Sequence, residues 1–243
     1  MPIGIIINTL SIAAGGVLGV LVGPKLREDF KANLTMIFGS CAMAMGISSI
    51  ILMANMPAVI LAVVLGTMIG MWIHLGEKIN KMCAGMQRIM SRFVKNQNTN
   101  MSEEEFMMEL ITVIVLFCAS GTGIYGSIVS GMSGDHSILI SKSILDLFTA
   151  MIFAATLGAV VSAIAVPQFV IFLILFLCGG LILPLTTPAM INDFKACGGI
   201  LLLATGFRMI KIKMFPTADM IPAMILVMPI SALWTNYIVP FVS

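Results

Sequence analysis

Apolar residues run through this chain in long unbroken stretches rather than in alternation, and each stretch is closed by a short polar or charged cluster. About 20 consecutive apolar residues carry a helix across a bilayer. Eight stretches approach that length: 3–22, 32–53, 57–75, 106–130, 139–165, 168–186, 194–212 and 218–239. Continuous runs exclude a closed barrel, whose strands alternate, so the backbone polar groups must be satisfied within helices. The expected fold is all-α and polytopic, with about eight transmembrane helices.

The two ends of the chain match each other. Gly15, Gly16, Leu21, Pro24, Asp29, Phe30, Lys31 and Ala32 recur as Gly179, Gly180, Leu185, Pro188, Asp193, Phe194, Lys195 and Ala196, eight identities in eighteen positions without a gap. Outward from there, Pro2 matches Pro167, Gly46 matches Gly206 after a four-residue deletion, and Pro57-Ala58-x-Ile60-Leu61 matches Pro222-Ala223-x-Ile225-Leu226. Lipid-facing composition does not generate the polar stretch Asp-Phe-Lys-Ala, so the match reads as an internal repeat. The expected organisation is repeat A at 1–75, a linker at 76–105, two central spans at 106–166, and repeat B at 167–243.

Composition fits only a membrane protein: 59% hydrophobic, 10% charged, mean hydropathy +1.09. So little polar surface does not cover a soluble globule of 243 residues. Eleven of the thirteen cations (Lys25, Arg27, Lys31, Lys78, Lys81, Arg88, Arg92, Lys95, Arg208, Lys211 and Lys213) fall on one side if there are eight spans. That side is expected to be cytoplasmic, leaving Lys142, Lys195 and both termini outside. The sixth span then crosses in the opposite sense to the first, which makes the repeat an inverted one. Met1–Asn8 lacks a basic start and a small-residue cleavage site, so it is read as the beginning of the first span.

In the linker, Ile79, Met82, Cys83, Met86, Ile89, Met90 and Phe93 recur at helical spacing while Lys78, Lys81, Arg88, Arg92 and Lys95 take the other face. This predicts an amphipathic helix on the anionic inner leaflet, with an extension of span 3 or an oligomer contact as alternatives. Asn96–Asn100 form a polar turn, and Ser102 with Glu105 has capping-box spacing for a helix start.

Catalytic signatures are missing: there is no G-x-S-x-G, H-E-x-x-H, Walker A loop or dinucleotide fingerprint, and His74 and His136 lie far apart. Five cysteines carry no C-x-x-C or Cys/His spacing, which argues against disulfide scaffolds and zinc. The 22 methionines have no acidic or histidine cluster beside them and read as flexible filler rather than copper ligands. No cofactor, metal or nucleic acid is expected, and the chain is not expected to be an enzyme.

The candidate ion-pathway residues are polar or glycine positions inside spans. Gly15-Gly16 and Gly179-Gly180 occupy equivalent mid-span positions, where adjacent glycines permit either a helix break with freed carbonyls or a close crossing. Lys142, Asp146 and Thr149 share one face of span 5 by helical spacing, and a charge in lipid needs a partner or a wet cavity. A simple ion pair at the headgroup level is the alternative. Asn8 and Ser11 stand one turn apart in span 1, and Thr122, Ser127 and Asp135 complete the polar set. Asp29 and Lys31, with Asp193 and Lys195, are expected to serve as symmetric gates or anchors, although an Asp at a helix start already has a sufficient reason in the dipole.

The stretch Gly126-Ser127-Ile128, Gly131, Ser133-Gly134-Asp135-His136-Ser137-Ile138-Leu139, Lys142-Ser143-Ile144-Leu145-Asp146 and Met151 through Gly158 resembles the YqgA-type family of uncharacterised bacterial inner-membrane proteins. Ile5-Ile6-Ile7-Asn8 with Gly15-Gly16, and Gly198-Gly199-Ile200 through Gly206, extend the resemblance over essentially the whole chain. One departure is Gly121-Thr122-Gly123-Ile124-Tyr125, where the family pattern is more aliphatic. The resemblance implies a bacterial cytoplasmic membrane protein with a domain of unknown function, and supplies no substrate.

The expected function is a channel or transporter for a small ion or small solute. A cation is slightly favoured because Asp135, Asp146 and Asp193 lie toward one mouth. The competing expectation is a membrane-embedded interaction or sensing protein acting through the basic linker. The expected partners are the lipid bilayer and a small ion, and the glycine-rich faces suggest a homo-oligomer.

Overall fold

The apolar runs fold into helices. The computed structural model describes residues 1–22, 27–90 and 102–242, and no strand occurs among the described residues. In chain order the helices are α1 (Ile3–Val22), α2 (Glu28–Ile50), α3 (Met56–Trp72), α4 (Leu75–Met90), α5 (Glu103–Cys118), α6 (Gly121–Ser133), α7 (Ser137–Leu157), α8 (Val160–Ala163), α9 (Ala165–Ile182), α10 (Pro188–Met209), α11 (Pro222–Leu233) and α12 (Val239–Val242). Helix α5 opens directly after Ser102, where the capping spacing placed a start. Pro24, Lys25, Arg92, Phe93, Lys95 and the turn Asn96–Asn100 lie outside the described residues.

Among the described residues six helical stretches are long and apolar enough to cross a membrane: Ile3–Val22, Asp29–Ile50, Glu109–Ser133, Ser137–Leu157, Val160–Leu185 and Pro222–Phe241. The bent pair α3 and α4, taken as one span, adds a seventh. This is fewer than the eight expected, and the difference is α10. Its 22 residues reach about 33 Å, enough to span. But it carries Asn192, Asp193, Lys195 and Arg208, which hold its hydropathy down.

The described chain divides into two compact units, and each draws on both ends of the sequence: Met1–Thr35 with Glu77–Leu181, and Met36–Gly76 with Ile182–Ser243. The units therefore cut across the segments 1–75, 76–105, 106–166 and 167–243 expected from the repeat.

In the first unit, α1 turns Gly4, Ile5, Asn8, Ile12, Gly15, Gly16 and Gly19 inward and leaves Leu10, Val17 and Leu21 exposed. The small residues are there for backbone contact. A side chain at Gly15 or Gly19 would run into the carbonyls of Leu147 and Met151 on α7, and one at Gly16 into Ser162. Gly179 on α9 meets the Ile128 carbonyl of α6 in the same way, and Gly131 of α6 meets the Phe176 carbonyl of α9. Of the two alternatives at the glycine pairs, a break or a close crossing, the crossing is found: α1 and α9 are unbroken there, and Gly15, Gly16 and Gly179 act in close contact. The interruptions fall elsewhere. Helix α5 stops at Cys118, and α6 restarts behind Ser120, whose hydroxyl accepts from the Gly123 amide at 3.2 Å. Gly134 closes α6 in the left-handed conformation at φ 69°, and Gly158 closes α7 with a positive φ of 77°.

A large contrast is expected between the neighbouring glycines of α9. Gly179→Val should destabilise by about 1–3 kcal/mol or more through forced separation of α9 from α6. At exposed Gly180, where the nearest obstacle is the Gly131 carbonyl at 3.7 Å, the same change should stay within about 0.5 kcal/mol. Thermal unfolding of the two variants in detergent checks this, and equal effects would contradict the crossing.

The amphipathic helix α4 forms. Cys83 is buried in it, and Ile79 and Met86 pack on the core formed by Phe106, Leu110, Val113, Ile114 and Phe117 of α5 with α1 and α7 residues. Lys78, Lys81 and Met82 remain exposed. Ile79, Cys83 and Met86 of the apolar side of α4 are thus taken up by the protein, while Met82 of that side stays exposed.

In the second unit α11 packs on α3 and α10, with Gly66 set against the Ala223 backbone and Gly70 against the Asp219 carbonyl. Helices α2 and α10 cross on reciprocal glycine contacts. A side chain at Gly46 would meet the Gly199 carbonyl at 2.6 Å and one at Gly199 the Gly46 carbonyl at 2.6 Å; Gly39 and Gly206 form the same exchange at 3.0 and 2.7 Å. Pro229 sits inside α11, which widens over Trp234–Ile238 into a π-helical turn.

Candidate functional site

A carboxylate and an ammonium meet in the core of the first unit. Asp146 accepts from Lys142 Nζ at 2.8 Å through Oδ1 and at 2.7 Å through Oδ2, one turn apart on α7. Asp146 Oδ2 also accepts from Asn8 Nδ2 of α1 at 2.8 Å. Asn8 Oδ1 accepts from Gln168 Nε2 of α9 at 2.9 Å, and Gln168 Oε1 accepts from the Thr9 hydroxyl at 2.9 Å. The group is a single chain of donors from Thr9 to Asp146, closed at the far end by Lys142.

Its setting is apolar. Asn8 and Gln168 are 0% exposed, Lys142 4% and Asp146 5%, while Thr9 at the end of the chain is half-buried. Lys142 Nζ lies 6.0 Å from the centre of the Phe117 ring, and Cys118 is close enough to feel both charges. Ile5, Leu139 and Phe172 form a dry cluster nearby on the same helices α1, α7 and α9. Both charged side chains are covered by the protein itself. Each charge is matched and hydrogen-bonded, the only form in which such groups persist away from water.

Thr149 shares the buried face but bonds backward to the Leu145 carbonyl at 2.8 Å, so it is not a member of the chain. Ser11 is half-buried and is not a member either. Thr122 and Ser127 lie buried on α6. Ser127 falls between Gly123, which abuts the Phe172 ring, and Gly131, so it faces α9; its hydroxyl has no hydrogen-bond partner among the described residues. Asp135 is occupied otherwise. Its Oδ1 accepts from the Ser137 amide at 3.1 Å, a cap for α7, and His136 Nδ1 lies 2.7 Å from the Ser130 hydroxyl.

The four residues expected as symmetric gates stand in unlike settings. Asp29 is exposed and 3.6 Å from Arg27 Nη2. Asp193 is 0% exposed, in the second unit, and accepts four hydrogen bonds: from the Ala54 and Asn55 amides at 2.8 Å each, from Asn55 Nδ2 at 2.9 Å and from the Ser231 hydroxyl at 2.6 Å. It caps the start of α3, where Asn55 also reaches Thr235 in the π-helical turn at 3.1 Å. Lys31 and Lys195 are half-buried. Equivalent roles for Asp29 and Asp193 are therefore corrected: one is a surface charge, the other a buried cap. Asp219 is a second such cap, accepting from the Gly76 amide at the start of α4 at 2.8 Å.

Sequence reasoning missed Gln168 and Thr9. The available signal was an amide standing alone in the apolar run Ala165–Ile182, which has no lipid-compatible partner within its own helix. It also missed Asn55, Ser231 and Asp219 as members of the capping groups. Among the described residues no group of three or more His, Cys, Asp or Glu side chains is arranged to hold a metal ion.

Residues 3–232 match the family described as "Protein of unknown function (DUF554)". The chain is 47% identical over 237 residues to "Uncharacterized protein YqgA" of Escherichia coli (strain K12), covering 98% of this chain and 99% of that one. It is 26% identical over 229 residues to "Uncharacterized membrane protein YdfK" of Bacillus subtilis (strain 168), covering 92% and 93%. No solved structure matches it. The family match over nearly the whole chain and the long apolar helices agree: the chain is a multi-pass membrane protein belonging to the DUF554 family.

Proposed function

We propose that this protein moves a small ion across a bacterial cytoplasmic membrane, and that the chain Thr9–Gln168–Asn8–Asp146–Lys142 is its ion-handling centre. The observation that carries the reading is a buried carboxylate–ammonium pair with two amides in helices otherwise built for lipid. An ionisable side chain costs at least about 2.5 kcal/mol at the centre of a spanning helix, and apolar packing would fill the same space more cheaply. A cation is favoured through Asp146 alone, because the carboxylates of Asp135 and Asp193 already serve as helix caps.

The inverted repeat supports the same reading. The register that matches Gly46 with Gly206 also matches Gly39 with Gly199, and the reciprocal crossing of α2 and α10 on these four glycines is what a two-fold relation produces. The cation asymmetry of the loops places both termini outside in this reading. A homo-oligomer remains the expected assembly.

Purified protein in proteoliposomes is expected to pass at least one common monovalent or divalent ion above the rate of empty vesicles. No movement of any of them would remove this reading. The competing one, a sensing or interaction protein, draws on the exposed Lys78 and Lys81 of α4. Neutralising both should leave flux intact if the buried chain is the working part.

A further inference from the structure

One end of the second unit mixes exposed cations with exposed large apolar side chains. We propose that it is a binding surface for anionic phospholipid headgroups. Lys211 and Lys213 are the phosphate ligands, and Trp72, Ile212 and Met214 are seated beside them at the boundary of headgroup and acyl chain. The proposal is independent of the transport reading.

The surface begins where α10 stops. The Lys211 amide donates to the Arg208 carbonyl at 3.1 Å and the Ile212 amide to the Phe207 carbonyl at 3.2 Å, the paired bonds that close a helix around a left-handed residue. That residue is Lys211, at φ 60°. Glycine is its usual occupant, because a side chain is strained in this conformation. The negative end of the helix dipole favours a cation at Lys211. It gives no reason for Lys213 two residues on, nor for Ile212 and Met214, which are 68% and 67% exposed.

Two ties hold the loop that follows. Arg208 Nη1 donates to the Thr217 hydroxyl at 3.0 Å, and the rings of Phe207 and Phe215 lie 6.0 Å apart, so the loop folds back on the end of α10. Asp219 then accepts from the Gly76 amide at 2.8 Å, and a side chain at Gly70 would strike the Asp219 carbonyl. The far end of the loop therefore lies against the last turns of α3. This brings Trp72, 84% exposed at the end of α3, to the same end of the unit as Lys211 and Lys213.

Charge there is unbalanced. The sequence of the second unit holds two acidic residues, Asp193 and Asp219. Asp193 is buried at the opposite end of α3, and Asp219 is engaged with the Gly76 amide. Lys211 and Lys213 are exposed, and neither makes an ion pair among the described residues. An acidic soluble partner would match the lysines and leave Trp72 and Met214 in contact with water. Acyl chains alone would match the apolar side chains and strand the ammoniums. A phospholipid of net negative charge supplies phosphate oxygens and an apolar body in one molecule. Tryptophan at the end of a span sits at headgroup level, and lysine stems reach along apolar surface to place the ammonium there. Each such cation gains attraction to an anionic leaflet.

Trp72 is its own reporter, since the chain has one other tryptophan, Trp234. The full chain carrying Trp234→Phe is placed in vesicles of phosphatidylcholine and phosphatidylglycerol, with one lipid brominated on its acyl chains. Quenching of Trp72 against the mole fraction of each brominated lipid gives their relative binding constant. Both lipids are expected to quench, with phosphatidylglycerol preferred at least about fivefold at low salt. The preference should fall to within about twofold of unity when Lys211→Gln and Lys213→Gln are combined, survive the two changes to Arg, and weaken as salt is raised. If Trp234→Phe does not fold, the difference in quenching between the parent and Trp72→Phe gives the same constant. No quenching of Trp72 by either lipid overturns the proposal, because the surface then does not meet the bilayer. Equal constants for the two lipids in the parent overturn it as well, and leave the lysines to an acidic protein partner. A preference that persists in the double Gln variant overturns the assignment of Lys211 and Lys213.

Discussion

Lys142→Met is expected to destabilise the protein by about 3–5 kcal/mol, because it leaves the Asp146 carboxylate buried with one amide donor in place of an ammonium. Adding Asp146→Leu to the same chain should recover most of that loss. The logic is the asymmetry of buried ion pairs: an unpaired charge retains its whole desolvation penalty, whereas two apolar side chains of similar volume have none. Denaturant unfolding in mixed micelles, followed by helix content, measures all three chains. A double variant as unstable as the single one would mean that the pair holds the fold through shape rather than charge. If recovery occurs, the pair is dispensable for folding, and the reason for keeping it must lie in what the protein does.

The second large effect belongs to Asp193. Asp193→Ala removes the acceptor of the Ala54 and Asn55 amides, the Asn55 side chain and the Ser231 hydroxyl at once. The buried Ser231 hydroxyl left without its acceptor costs about 1–3 kcal/mol, and the exposed Ala54 and half-buried Asn55 donors, which water can reach, add less, so the loss should reach about 2–3 kcal/mol. Asp29→Ala, at the position matched by the repeat, should change stability by less than about 0.5 kcal/mol because that side chain is exposed. Equal losses at the two positions in the same unfolding assay would restore the symmetric-anchor expectation.

That contrast shows what the sequence made legible. The apolar runs announced the helices because a backbone in lipid has no alternative, and the capping spacing at Ser102 marked the start of α5. The pairing of Lys142 with Asp146 was equally readable, being local to one helix turn. Asn8 stood out as an amide in lipid, but its partners did not, since Asp146 and Gln168 lie 138 and 160 residues away and only the packing of α1 against α7 and α9 brings them together. The glycine pairs were ambiguous for a similar reason. A break and a close crossing have the same composition, and the contacts of Gly15 with the Leu147 carbonyl and of Gly179 with the Ile128 carbonyl decide for crossing. The sequence match between Asp29 and Asp193 did not carry over to their surroundings: Asp29 is exposed beside Arg27, while Asp193 is buried against the start of α3.

The central claim is that an ion passes by way of the buried chain in the first unit. It is tested most directly by flux into proteoliposomes holding equal amounts of the parent protein and of the chain carrying Asn8→Leu, Lys142→Met and Asp146→Leu together, with helix content and monodisperse elution showing that both are folded. Flux well above empty vesicles for the parent, and at the level of empty vesicles for the folded variant, is the predicted result. Undiminished flux through that variant would contradict it.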